Sequence, residues 1–488
     1  MASAFALRGF PSFPANALSP QFKFRRERRA AVLARSSNVQ EPRPTNVQPP
    51  VKEKNPFPGK LEADVVVIGS GIGGLCCAGL LARYGQNVLV LESHDLPGGA
   101  AHSFEIKGYK FDSGPSLFSG FQSRGPQANP LAQVLDALGE SVPCASYDSW
   151  MVYIPEGEFL SRIGPTEFFK DLEKYVGLEA VREWKKLLVY MFAEWYKPGC
   201  SLEYPLHGSG AVVDALVRGM QKFGGRLALG THVENILVEN GRAIGVKLRS
   251  GHIVRAKKAV VSNASMWDTL NLLPADAIPQ SYQTKVKETP QCESFMHLHL
   301  GFDAQDIPED LGIHHIVVND WSRGVDADQN VVLISVPSVL GKDLSPPGKH
   351  VLHAYTPGTE PFGLWEGLDR RSAEYRGLKA ERSEVMWRAV ERALGPGFSR
   401  ENCDVKLVGT PLTHRRFLRR NRGTYGPAIK AGEATFPGHS TPIPQLFCCG
   451  DSTFPGIGVP AVAASGAIVA NSLVSVSQHS ELLDAVGI

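Results

Sequence analysis

Three groups of residues in this chain have the types and spacing of a site that holds a phosphate and a ribose. The first is Gly69-Ser70-Gly71-Ile72-Gly73-Gly74, which satisfies G-x-G-x-x-G. Gly69 permits a tight turn, Gly71 lets backbone approach a pyrophosphate, and Gly74 lets a helix pack closely on the strand before it. The second group begins at Glu92, 18 residues past Gly74, where a carboxylate can accept from both ribose hydroxyls. A carboxylate there argues against a 2′-phosphate, and so against NADP. It is followed by Ser93 and then by Gly98-Gly99, a pair that either carries the chain along a pyrophosphate or forms a plain turn. The third group, Gly450-Asp451 with Gly456, Gly458 and Val459, opens an alanine-rich helix some 380 residues after the first. Asp451 suits a ribityl or pyrophosphate group. A helix starting at Gly458–Val459 would point its positive end at a flavin edge and favour the anion of reduced flavin. One such unit alone is a weak signal. Two of them, from opposite ends of one chain, select FAD.

The elements that must position these groups follow from pattern. Asp64–Ile68 reads as a buried strand, a helix runs from the glycine turn to about Tyr84, and Val88–Leu91 is the next strand. The 18 uncharged residues Val65–Ala82 are thus strand, turn and helix, not a membrane span, because five glycines interrupt them. Tyr204–Gly210 leads into a helix over Ala211–Phe223. A strand begins at Gly224-Gly225-Arg226-Leu227 and closes at Val233, whose backbone meets the adenine ring in folds of this kind. Ile236–Glu239 and Ala243–Leu248 form a hairpin at Asn240-Gly241, and Lys258–Ala264 returns to the nucleotide domain. Leu446–Cys449 is a last short strand. Phe295–Phe302, His314–Asn319, Val331–Val336 and His350–Tyr355 are strand-like, and residues 369–394 have helical spacing. The fold class is α/β: an extended-FAD, glutathione-reductase-type Rossmann-like domain with a second, mixed-sheet substrate domain.

Composition narrows the function. Residues 1–60 carry 11 Lys/Arg against three acids, while the other 428 residues carry a net charge of −6. A mildly acidic body excludes a nucleic-acid partner, which needs a basic face. Eight cysteines, four of them in the pairs Cys76–Cys77 and Cys448–Cys449, read as free thiols, and no spacing for a metal site occurs. His297-x-His299 and His314–His315 read as strand residues before ligands. Residues 1–37, rich in Ala, Ser, Phe and Arg, read as a plastid transit peptide in preference to a plain basic tail.

Finer motifs carry a resemblance. Phe111-Asp112-Ser113-Gly114-Pro115 follows the Gly-Gly pair, and Pro337-Ser338, Asp343 and Pro346-Pro347-Gly348-Lys349-His350 lie in the second domain. Gly409-Thr410-Pro411-Leu412-Thr413-His414, Phe417-Leu418 and Gly423-Thr424-Tyr425-Gly426-Pro427 come later. From about residue 60 to 475 the chain resembles the FAD-dependent phytoene desaturase and carotene cis–trans isomerase (prolycopene isomerase-like) family, as a plant plastid paralogue. The resemblance implies FAD, a hydrophobic carotenoid polyene as substrate, and a place in the chloroplast, stromal or peripheral to its membranes. It implies isomerisation of poly-cis carotenes through reduced flavin first. A desaturase passing electrons to a quinone is the second reading, and an FAD-binding protein without turnover the third. Relatives carry a long helical stretch where only Thr166–Cys200 stands here, so several tens of residues are expected to be missing from the substrate cavity.

The resulting organisation is a transit peptide (1–37), a linker (38–60) and the first part of the FAD domain (61–165). A shortened helical piece (166–203) and the second FAD part (204–265) follow, then the substrate domain (266–440), the last FAD part (441–476) and a tail (477–488). Chemistry falls to the flavin, and no residue is assigned as catalytic acid or base. Asp112, His414 and Tyr425 read as structural; Phe192, Trp195 and Tyr196 either line a polyene channel or pack a helix.

Overall fold

The computed structural model describes residues 59–125, 128–164, 166–182, 201–430 and 435–487. The expected transit peptide, nearly all of the linker, and Phe192, Trp195 and Tyr196 lie outside them. The β-branched run Val65–Ile68 ends the Glu62–Ile68 strand at the centre of a seven-stranded sheet, buried on both faces. Its neighbours Val88–Leu91 and Ile253–Ser262 are parallel to it. Arg226–Ala228 extends the parallel array on one side and Leu446–Cys448 on the other. Parallel strands covered by helices have no solvent face, hence their continuous apolar sequence. The hairpin Val233–Glu239/Arg242–Leu248 turns at Asn240 (φ 49°) and Gly241 (φ 74°), the signs that a type I′ turn demands.

The Ile72–Arg83 helix is buried from Ile72 to Ala82, and glycines set its distance from its neighbours. A Cβ on Gly466, in the Val459–Ser472 helix, would lie 2.2 Å from the Gly73 carbonyl oxygen. A Cβ on Gly79 would lie 2.9 Å from Leu138. The two ends of the chain therefore meet backbone to backbone. Among the described residues no helix is long and apolar enough to cross a membrane.

The second sheet runs Cys403–Gly409, His297–Asp303, Lys349–Tyr355, Val331–Ser335, His314–Val318, Ser149–Ile154, Gly157–Arg162. Leu298, Leu300, Leu352 and Ala354 pack under the Ala373–Leu394 helix against Met386, Ala389 and Val390. Strand alternation then turns His297, His299, His353 and Tyr355 to the opposite face, toward the first domain.

Several expected boundaries move. The substrate sheet takes in Ser149–Ile154 and Gly157–Arg162, so the chain leaves the FAD domain before residue 165. Val233 opens the hairpin rather than closing the previous strand: Gly230 (φ 63°) breaks the run, and its N–H donates to the His94 carbonyl while that of Thr231 donates to the Glu92 carbonyl. Of the expected tail 477–488, the described residues are not loose chain. Ser475 and Gln478 form a capping box for a Val476–Val486 helix whose Leu482 enters the first core. In the described part of 166–203, Glu167–Tyr175 is helical and Leu202–Pro205 begins a strand.

Candidate functional site

The parallel strands end level with one another: Ile68 pairs with Leu91 and Ser262, and Ser262 with Cys448. In open α/β sheets this carboxyl edge is where ligands bind. A cavity of about 440 Å³ lies there, lined by Gly69, Gly71, Ile72, Gly73, Glu92, Ser93, Gly98, Gly99, Val233, Gly450, Asp451, Gly458 and Val459. Of the residues expected at the cofactor, only Ser70 and Gly74 stand behind the wall. Gly74 faces the strand, where a Cβ would meet the Gly69 oxygen at 2.3 Å. Ser70 is fully buried, and its N–H and hydroxyl donate to Glu92 Oε2 at 2.9 and 2.6 Å. Glu92 Oε1 accepts from the His94 N–H at 2.8 Å. One carboxylate oxygen is thus committed to the turn, and Oε1 keeps capacity for a ribose hydroxyl.

Two helices start at the cavity, at Ile72 and Val459. Neither has a side-chain cap at its N-cap (Gly71, Gly458), and neither has an acid in its first turn. Their first N–H groups and positive ends are left for an anion. Between them sits Asn263, which sequence reasoning passed over. A Cβ on Gly71 would lie 2.8 Å from its Nδ2, and one on Gly450 2.8 Å from its Oδ1. Its only signal is position: it is the first residue beyond the Ile253–Ser262 strand, and its N–H donates to the Ile68 carbonyl. Both glycine turns close onto this one amide. A cradle that tight, with two uncapped helix ends, fits a pyrophosphate-bearing dinucleotide.

Asp451 is held in an ion pair with Arg420, whose Nε also donates to the Thr424 carbonyl at 2.7 Å. The Asp451 carboxylate therefore reaches the cavity already charge-compensated. Asp112 lies elsewhere, accepting from Tyr204, Ser209 and Ser103 at 2.6–3.1 Å, where it ties the Tyr109–Asp112 strand to the chain before the Gly210–Lys222 helix.

The far end of the cavity is aromatic and polar, built by Phe295, His297, His353, Tyr355, His414 and Tyr425. Residues 297 and 353 come from neighbouring strands, and His297 Nδ1 and His353 Nε2 share a hydrogen at 2.9 Å. The rings of His299 and His353 stack at 4.3 Å. Burial lowers the basicity of all four imidazoles, that of His299 to about 4 and that of His414 to about 3. This end therefore carries no charge near neutrality. Among these residues the sequence pointed to His297, His414 and Tyr425 only as strand or structural positions, and His353 gave no signal.

Two family profiles match the chain: an NAD(P)-binding Rossmann-like domain over residues 67–138 and a flavin containing amine oxidoreductase over 154–474. The chain belongs to the flavin containing amine oxidoreductase family. Its cofactor is FAD. It is 31% identical to the chloroplastic prolycopene isomerase of Daucus carota over 514 aligned positions, covering 87% of this chain and 82% of that protein. It is 25% identical to the neurosporene-forming phytoene desaturase of Cereibacter sphaeroides, covering 83% and 93%. Among solved structures, an oxidoreductase from Methanosarcina mazei shares the fold with a TM-score of 0.60 at 20% identity, over 83% of this chain and 99% of that one.

Proposed function

We propose that this protein is a plastid flavoenzyme that changes the bond geometry of a poly-cis carotenoid without net oxidation. The carrying observation is the 31% identity to a prolycopene isomerase across nearly the whole chain, stronger than the 25% to a desaturase. Bound FAD, in its reduced form, would supply the electron density that weakens a double bond enough for rotation. The chain's own residues supply the rest. Gly71, Gly73, Gly450 and the two helix starts would hold the pyrophosphate, and Glu92 with Ser70 behind it would hold the adenosine ribose. The second sheet roofs the cavity and excludes water, and apolar burial at about 25 cal/mol per Å² would supply most of the affinity for a polyene.

The mouth of the cavity suits a lipid surface. Leu96 and Phe417 line it and are 40% and 45% exposed, and Phe417 lies beside the exposed Arg415, Arg416 and Arg419. Exposed apolar side chains flanked by cations are what a peripheral contact with an anionic plastid membrane needs. The deciding experiment expresses the chain in a bacterial host that accumulates poly-cis carotenes and resolves the pigments. Isomers with an unchanged number of double bonds are expected. New double bonds would assign it to desaturation with an external acceptor such as a quinone. Unchanged pigment beside a yellow, FAD-loaded protein would overturn both.

A further inference from the structure

A dinucleotide brings a doubly anionic pyrophosphate into this cavity, and the charged side chains that line it are mostly acidic. Glu92, Asp268 and Asp451 are the carboxylates, and Arg419 and Arg420 are the cations. Arg420 is committed to Asp451. The helix starts at Ile72 and Val459 supply only partial positive charge. One full cation is left for the phosphates. It is Arg419, whose guanidinium makes no hydrogen bond or ion pair among the described residues.

Arg419 ends the Pro411–Leu418 helix, and it does so with φ 56° and ψ 29°. Glycine ordinarily takes that left-handed position, because a Cβ is crowded there. A strained backbone carrying an unpaired cation on a cavity wall points to function. Neighbouring contacts fix where it stands. Phe417 meets the His94 ring edge-on at 5.9 Å, and the His94 N–H donates to the ribose acid Glu92. Burial, and then the charges of Arg249 and Arg419, lower the basicity of His232, which lines the same cavity beside Val233. On the other side the Asn421 N–H donates to Asp268 Oδ2 at 2.9 Å, and Arg420 pairs with Asp451. Arg419 is therefore presented by anchored backbone. Other arginines of the run are engaged elsewhere: Arg415 and Arg422 lie over the Phe362 ring at 5.9 and 5.1 Å, and Arg416 over Phe417 at 5.4 Å.

Resting on the pyrophosphate cradle described above, we propose that Arg419 is the cofactor's phosphate-binding cation, donating to the pyrophosphate of bound FAD from the substrate domain. The second domain then takes part in holding FAD as well as in roofing the cavity. A charge-assisted hydrogen bond from guanidinium to phosphate, at a partly exposed site, corresponds to about tenfold in affinity.

The test titrates the apoprotein with FAD, read by flavin fluorescence, at about 20 mM and about 1 M NaCl. Arg419→Gln should bind FAD about tenfold more weakly at the lower salt. The gap should narrow at the higher salt, where charges are screened beyond about 3 Å. Arg419→Gly suits the left-handed backbone, so its apoprotein should melt at or above wild type while losing the same affinity. Arg416→Gln, in the same basic run but off the cavity wall, should bind FAD as wild type does. Wild-type affinity in both Arg419 variants would overturn the assignment, and weaker cosedimentation with anionic vesicles would then give Arg419 to the membrane contact. An equal loss in Arg416→Gln would overturn it too, because only the general field of the basic run would be at work. A wild-type apoprotein that takes up no FAD would overturn the inference together with the cradle beneath it.

Discussion

Gly71 and Gly74 belong to one motif but face opposite ways, and alanine at each should fail differently. A Cβ on Gly74 would lie 2.3 Å from the Gly69 carbonyl oxygen and 3.1 Å from the Asn263 Cβ. That oxygen is backbone of the central turn and cannot swing aside. The Ile72–Arg83 helix would have to retreat by about 1 Å, yet Gly466 blocks the other side of the same turn of helix. Overpacking of this kind costs about 1–3 kcal/mol. The upper end applies here, and at about 2–4 °C per kcal/mol for a first domain of about 200 residues melting as a unit, its melting point should drop by roughly 6–12 °C. Gly71 instead has φ −62° and ψ 167°, which alanine adopts freely, and its Cβ would meet only the Asn263 Nδ2 at 2.8 Å, the movable end of a side chain. Its apoprotein should melt within a few degrees of wild type. The methyl, however, stands on the cavity wall and displaces the pyrophosphate from charge-assisted hydrogen bonds worth about 1.5–3 kcal/mol each, so FAD should bind about tenfold to a hundredfold more weakly. Thermal melts of the two apoproteins and FAD titration by flavin fluorescence measure both quantities. A Gly74→Ala apoprotein that melts with wild type, or a Gly71→Ala protein that binds FAD as tightly as wild type, would refute the assignment of the two faces.

Ser70→Ala should weaken FAD binding about tenfold while the chain still folds, because Glu92 loses its shortest donor and is left to the backbone N–H groups of residues 70 and 94; FAD titration checks this. Arg382→Met should cost about 3–5 kcal/mol in urea melts by stranding the fully buried Glu360, and adding Glu360→Gln should recover part of the loss. Stability should fall with acid. Burial holds His299 and His314 neutral down to about 4 and 3, whereas in the unfolded chain they titrate near 6.5. Between those values the unfolded state binds more protons, so stability is full above about pH 6.5 and declines as pH drops, by about 1.4 kcal/mol per pH unit per histidine. Urea midpoints that stay level from pH 7 to pH 5 would contradict this. Arg415→Glu with Arg416→Glu should reduce cosedimentation with anionic vesicles without changing FAD content, since both side chains are exposed and neither lines the cavity.

The cofactor half of this protein is local in sequence. A tight turn needs glycine, a buried parallel strand needs β-branched residues, and a ribose needs a carboxylate after the second strand, so spacing alone led one to expect Gly69–Gly74, Glu92 and Gly450–Val459 at one site, and the structure brings most of them to one cavity. The structure then separated the motif's residues by the direction they face, placing Ser70 and Gly74 behind the wall. What the strands could not announce was which faces meet. Asn263 matters because two glycine turns, far apart in the chain, close on one side chain. The Arg420–Asp451 pair forms because a loop 31 residues upstream folds over the second turn. His297 and His353 were unremarkable in their own strands. A register that sets His299 opposite His353, and a helix that claims the alternate residues, bring these imidazoles together at one end of the cavity. Local sequence sets backbone conformation and period; the convergence of side chains from separate strands depends on sheet order and register, and those are decided only when the whole chain packs.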